Sequence, residues 1–104
     1  MSSLNNQRGY LTMAVGQQYI QNATMLAASI KRTQTFVNNV TLVKDDRSVI
    51  NDKQAEYFDN IVTIPWREEI WQTRSELWYH SPYEQTMFVE ADMLLTNNVS
   101  DWWY

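Results

Sequence analysis

Two glycines punctuate this chain, Gly9 and Gly16, and it has no others. Between them runs Tyr10-Leu11-Thr12-Met13-Ala14-Val15, which is largely apolar. A short apolar run bounded by turn residues reads as a strand buried on both faces, as in parallel sheets. Gly16 lets the backbone turn sharply or approach a ligand closely. Directly after it, Gln17 to Thr33 carries Tyr19, Ala23, Leu26 or Ala27, and Ile30 at three- and four-residue steps, the apolar stripe of a helix. Lys31 and Arg32 fall in its last turn, where cations complement the helix dipole. A buried strand that runs straight into an amphipathic helix leaves few folds open, because strands alternating with helices imply right-handed crossovers and a mostly parallel sheet.

The rest of the chain keeps the alternation. Val40 to Val43 is a second strand, ending in Lys44-Asp45-Asp46. Asn51 or Asp52 can cap a short helix reaching Phe58. Ile61 to Ile64 is a third strand, stopped by Pro65. Arg67 to Tyr79 reads as a helix with Ile70, Trp71, Leu77 and Trp78 as its apolar members, and Ser81-Pro82 breaks it. Gln85 to Glu90 is a fourth strand, Asn97-Asn98 marks a turn, and Asp101-Trp102-Trp103-Tyr104 follows. The expected fold is α/β, a Rossmann-like, mostly parallel sheet of about four strands with helices on both faces. Residues 1–8 are expected to be a flexible N-terminus, and 9–104 a single domain.

A chain of 104 residues has room for one small domain. Its 44% hydrophobic content, with five tryptophans, six tyrosines and three phenylalanines, can build one core. The net charge of -4 argues against nucleic acid as a partner, because phosphate backbones require a basic surface. With no cysteine there is neither a disulfide nor a thiolate metal site, and one histidine excludes a multi-histidine zinc site within the chain. No apolar run approaches the ~18 residues of a membrane span. The sequence from Met1 to Arg8 lacks a basic region followed by an apolar core, so it is not read as a secretory signal, and a cytoplasmic location is expected. The Asn-X-Ser/Thr triplets at Asn22, Asn39 and Asn98 then read as chance occurrences.

The run Met87-Phe88-Val89-Glu90-Ala91-Asp92-Met93-Leu94-Leu95 sets two carboxylates at the end of a core strand. Buried carboxylates are paired or metal-bound, so Glu90 and Asp92 are either a cation site or a strand end reaching solvent. In open parallel sheets ligands lie beyond the carboxyl ends of the strands, where strand order reverses. Three polar strand ends are then candidates for one cleft: Gly16 with Gln17, Asp45 with Asp46, and Glu90 with Asp92. Asp45 and Asp46 can equally be a polar turn. Arg74 either sends its charge to water from a core-lying stem or meets a ligand anion, since no acid in its helix is spaced to pair with it. Tyr19 divides between core and base stacking. His80 is expected to be structural or exposed. Trp71, Trp78 and Phe88 are expected in the core, and Trp102, Trp103 and Tyr104 cover a sheet face or form an oligomer contact.

Leu11-Thr12-Met13-Ala14-Val15-Gly16 followed by Tyr19, Leu26-Ala27-Ala28-Ser29-Ile30-Lys31, Val40-Thr41-Leu42-Val43-Lys44-Asp45-Asp46, and Leu77 through Asp92 together resemble the N-terminal half of GT-A-fold nucleotide-sugar glycosyltransferases, most closely glycogenin-like ones. Asp101-Trp102-Trp103 is similar to the segment shortly after the family's Asp-X-Asp motif. The resemblance covers nearly all of residues 9 to 104. It implies a half-domain that binds a nucleotide sugar such as a UDP-sugar through Mn²⁺ or Mg²⁺. It sets Ala14, Val15, Gly16 and Tyr19 at the base, Asp45 near the nucleoside, Arg74 on the diphosphate, and Glu90 and Asp92 at the metal and its phosphates. The first acid of the motif is Glu90 rather than Asp, which makes Asp92 the principal metal ligand. The family's acceptor-binding second half has no counterpart here, so the resemblance implies a truncated or degenerate transferase. The alternative is a non-catalytic interaction module that keeps the fold and forms a homo-oligomer through its sheet edge or aromatic C-terminus. A Rossmann dinucleotide site is disfavoured, because no G-x-G-x-x-G follows the first strand.

Overall fold

The computed structural model describes residues 8–34, 37–68 and 81–90. The strands are β1 (Arg8–Ala14), β2 (Val40–Asp45), β3 (Asn60–Ile64) and β4 (Gln85–Phe88), and the helices are α1 (Gln17–Thr33) and the one-turn α2 (Asp52–Ala55). Among the described residues all three strand pairings are parallel, and the sheet order is β3-β2-β1-β4. The fold is α/β, as the alternation of elements requires.

α1 spans the predicted residues and packs on one face of the sheet. Tyr10 and Ala14 of β1 and Val40 and Leu42 of β2 meet Ile20, Ala23, Leu26, Ala27 and Ile30 there, with Val37, Phe58 and Val89 at the margins. Ile20, Leu26 and Ile30 are fully buried, and burial of each side chain contributes about 1.5–3 kcal/mol. The stripe begins at Ile20 and not at Tyr19, which is 45% exposed. At 100° per residue Tyr19 falls between Leu26 and Ile30, within the arc of the buried residues, so periodicity alone does not account for its exposure. Period-two alternation sends Leu11, Met13 and Val43 to the opposite face, where Val15, Val62, Ile64 and Trp66 pack against them. Phe88 pairs with Leu11 across β1 and β4 and is 40% exposed, so it is not the core residue expected.

The outer strand and short helix differ slightly from expectation. β3 exposes Asn60, Ile61 and Thr63, as a strand flanked only by β2 among the described residues would. Asn51 caps α2 reciprocally: its side chain accepts from Gln54 N at 2.8 Å, and the Gln54 side chain accepts from Asn51 N at 3.1 Å. The helix ends at Ala55 because the next turn tightens, with Tyr57 N donating to Gln54 O and Phe58 N to Ala55 O. Of the helix expected over Arg67 to Tyr79, only Arg67 and Glu68 are described, and neither is helical.

Side chains lock the amino ends of the strands. Asp59 Oδ2 accepts from Val40 N at 2.8 Å and from Lys31 Nζ at 2.5 Å, joining the end of α1 to the starts of β2 and β3. Tyr83, just before β4, is buried and lays its ring over Gly9 of β1, where a Cβ would fall 2.2 Å from Tyr83 Cε2. Its hydroxyl accepts from Thr41 Oγ1 of β2 at 2.9 Å. Gly9 is therefore a slot, and Tyr83 holds β4 beside β1. Burial pushes the Tyr83 hydroxyl above the usual 10.0, against the hydrogen bonds from Thr41 and Asn60 and with added repulsion from Asp59.

Candidate functional site

The chain leaves β1 for β2, continues outward to β3, and returns to the other flank of β1 as β4. Strand order therefore reverses at β1, and the crevice between the carboxyl ends of β1 and β4 is the position where open parallel sheets take ligands. Because every pairing is parallel, the ends of β2, β1 and β4 emerge side by side on one edge. Gly16, Asp45 and Glu90 follow or end these adjacent strands.

β1 ends at Ala14, which is buried and paired with Lys44; Val15 is half-buried and Gly16 exposed. Gly16 has φ 99° and ψ 152°. That region is essentially restricted to glycine, and a side chain there would strain the backbone by about 1–3 kcal/mol. The backbone conformation demands the glycine, since a Cβ on Gly16 would meet nothing within 4 Å. From this turn α1 begins, its first internal hydrogen bond running from Ile20 N to Gly16 O at 3.0 Å. The amides before Ile20 have no place in that ladder. No side chain caps the helix, and no acid lies in its first turn. The positive end of the helix dipole therefore lies just beyond the carboxyl end of β1, with no acid of its own first turn to offset it.

The loop after β2 is fastened to this turn. Asp45 is 1% exposed, and its Oδ1 accepts from the Ser48 hydroxyl. Ser48 Oγ in turn accepts from Gly16 N at 2.8 Å. Alongside, the Gln17 side chain donates to Val49 O at 3.0 Å and accepts from Val49 N at 2.7 Å. Lys44 Nζ draws the loop closed by donating to Asp45 O at 3.1 Å and Ser48 O at 2.9 Å. Asp46 is exposed and accepts from Trp66 N at 3.1 Å, and the Arg47 guanidinium lies 4.0 Å over the Trp66 ring. These contacts tie the loop to the segment after β3.

On the other wall, Val89 N donates to Leu11 O at 3.0 Å, one residue beyond β4, and Glu90 follows, exposed. Tyr19 is exposed in the first turn of α1. Arg74, His80 and Asp92 lie outside the described residues, as do Trp71, Trp78, Trp102, Trp103 and Tyr104. Among the described residues, no three histidines or acids converge as a metal-binding group. None of the helices described is long and apolar enough to cross a membrane.

The glycine turn and the strand-end acids could be read from residue type. Ser48, Lys44 and the Gln17–Val49 pair could not: Asp45-x-x-Ser48 is a common turn pattern, and only the fold brings Ser48 to Gly16. No family model and no curated protein matches the chain.

Proposed function

We propose that this chain binds a nucleoside-diphosphate sugar, as a GT-A glycosyltransferase-like protein, in the crevice beside the carboxyl end of β1. The observation that carries the proposal is the reversal of strand order at β1, with the glycine-only turn at Gly16 opening an uncapped 17-residue helix there. A diphosphate suits such a helix start, where backbone amides and dipole both favour negative charge. The base lies towards Ala14, Val15 and Tyr19.

A Mn²⁺ or Mg²⁺ ion is compatible with the acids of this edge. Such ions bind through one or two carboxylates and the substrate's phosphates, without an all-protein cage. Asp92 is the principal ligand and Glu90, exposed two residues beyond β4, the second. The ion neutralises charge on the diphosphate. Arg74 supplies a further positive charge to the phosphates.

Thermal unfolding with UDP, with and without Mn²⁺, tests the proposal. Ligand at ~100 times its dissociation constant stabilises by ~2.7 kcal/mol, which raises the midpoint of a 100-residue domain by roughly 10 °C. No rise with UDP and Mn²⁺ together would refute nucleotide binding. A rise of equal size in Asp92→Asn would refute the metal assignment. The competing self-association reading draws on the exposed Ile61 of β3 and Phe88 of β4. Light scattering decides it: a monomer at high concentration excludes it.

A further inference from the structure

We infer that Ser48 and Asp45 are positioning residues, which hold Gly16 in its binding conformation without touching the ligand themselves. The inference rests on the nucleotide reading and deepens it, because it removes Asp45 from the nucleoside contacts that the family resemblance implies.

The chain of cause begins with the carboxylate. Asp45 is 1% exposed and Ser48 5%, so the pair is sealed within the loop. The single Ser48 hydroxyl proton is donated to Asp45 Oδ1, which accepts it. With its proton committed there, Ser48 Oγ turns its lone pairs to the Gly16 amide, which donates at 2.8 Å. The carboxylate thereby fixes the direction of the backbone bond. Gly16 needs such a constraint: a conformation like its φ 99°, ψ 152° persists only where the surroundings over-determine it. The paired hydrogen bonds between Gln17 and Val49 hold the next residue to the same loop, and Lys44 Nζ closes that loop from behind through Asp45 O and Ser48 O.

Two consequences follow for a ligand. The Gly16 N–H is already engaged by Ser48, so a phosphate meets the later amides of the first turn of α1. Loss of the Ser48 hydroxyl frees the turn to sample other conformations, and the ligand must then restore order as it binds.

Amide hydrogen exchange at Gly16, read by NMR, and the UDP affinity in the presence of Mn²⁺, read by calorimetry, test this on the full chain. Ser48→Ala should speed Gly16 exchange about tenfold, the equivalent of one buried hydrogen bond, and weaken UDP by a similar factor. Ser48→Thr retains the hydroxyl and should restore both. Asp45→Asn retains an acceptor oxygen and should stay closer to the parent than Asp45→Ala. Exchange at β1 and β2 core amides reports whether each variant is folded. Unchanged Gly16 exchange in a folded Ser48→Ala would overturn the latch. Faster exchange with parental UDP affinity would overturn its role in binding. A loss of affinity in Asp45→Ala but not in Ser48→Ala would make Asp45 a direct contact. Failure of the parent itself to bind UDP refutes the nucleotide reading and with it the role in binding, and the exchange ratio still judges the latch.

Discussion

Gly9→Ala should be among the most damaging single-methyl additions in the described part of the chain. The new Cβ would lie 2.2 Å from Tyr83 Cε2, 2.3 Å from Cζ and 2.4 Å from Cδ2. The obstacle is the body of an aromatic ring, buried and anchored through its hydroxyl to Thr41, so it cannot yield by a small torsion. The ring must leave its slot or β4 must move away from β1. Removing a large aromatic side chain from its site costs about 3–5 kcal/mol, and the abandoned Thr41 hydroxyl adds about 1–3 kcal/mol if it stays dry. Against this, alanine in place of glycine within a strand returns roughly 0.5–1 kcal/mol. Partial relaxation of β4 reduces the loss, and a net destabilisation of about 3 kcal/mol is expected, a large share of the ~5–15 kcal/mol that holds a typical domain folded. Urea unfolding followed by circular dichroism measures it as a lowered midpoint. The decisive comparison is a double-mutant cycle with Tyr83→Ala, in which the slot is already empty and Gly9→Ala should cost little. An effect of the same size in both backgrounds, or a single-variant cost below about 0.5 kcal/mol, would refute the slot.

Two further outcomes follow from buried hydroxyls. Tyr83 holds its proton to higher pH in the folded state than its usual 10.0, so stability is fully present below about pH 10 and falls as pH rises through the folded value; thermal midpoints between neutral and alkaline pH should show this decline, and Tyr83→Phe should lessen it while lowering stability at neutral pH. Thr12 is fully buried in β1 and its Oγ1 has no hydrogen-bond partner among the described residues, so Thr12→Val, which replaces the hydroxyl by a methyl, should raise stability by about 1 kcal/mol in urea titrations, and a destabilised variant would refute the account.

The local elements were legible because they depend on local chemistry. The three- and four-residue steps of α1 give its bounds, Asn51 and Gln54 form the cap of α2, and the apolar run before Gly16 is the central strand. Burial across strands was less legible. Phe88 looked like core by residue type, but the register that pairs it with Leu11 on the face away from α1 comes from the sheet. Tyr19 looked like the start of the apolar stripe and shares its phase, yet it is exposed, and Ile20 is the first residue of α1 that is buried. At the candidate site, Gly16 could be singled out as a turn glycine, because few other residues tolerate such a backbone. Asp45 could be picked only as an acid at a strand end; its carboxylate turns inward to Ser48.

By itself the sequence determined the order of strands and helices and the one place where the chain needs a glycine backbone. Periodicity and backbone sterics act over a few residues, and both are written in residue type. Only the tertiary structure decided that β4 returns beside β1 to reverse the strand order, that Tyr83 fills the space above Gly9, and that Ser48 reaches Gly16 across 32 residues of chain. These pairings depend on which strands become neighbours, a choice made by burial of the whole sheet and not by any one segment.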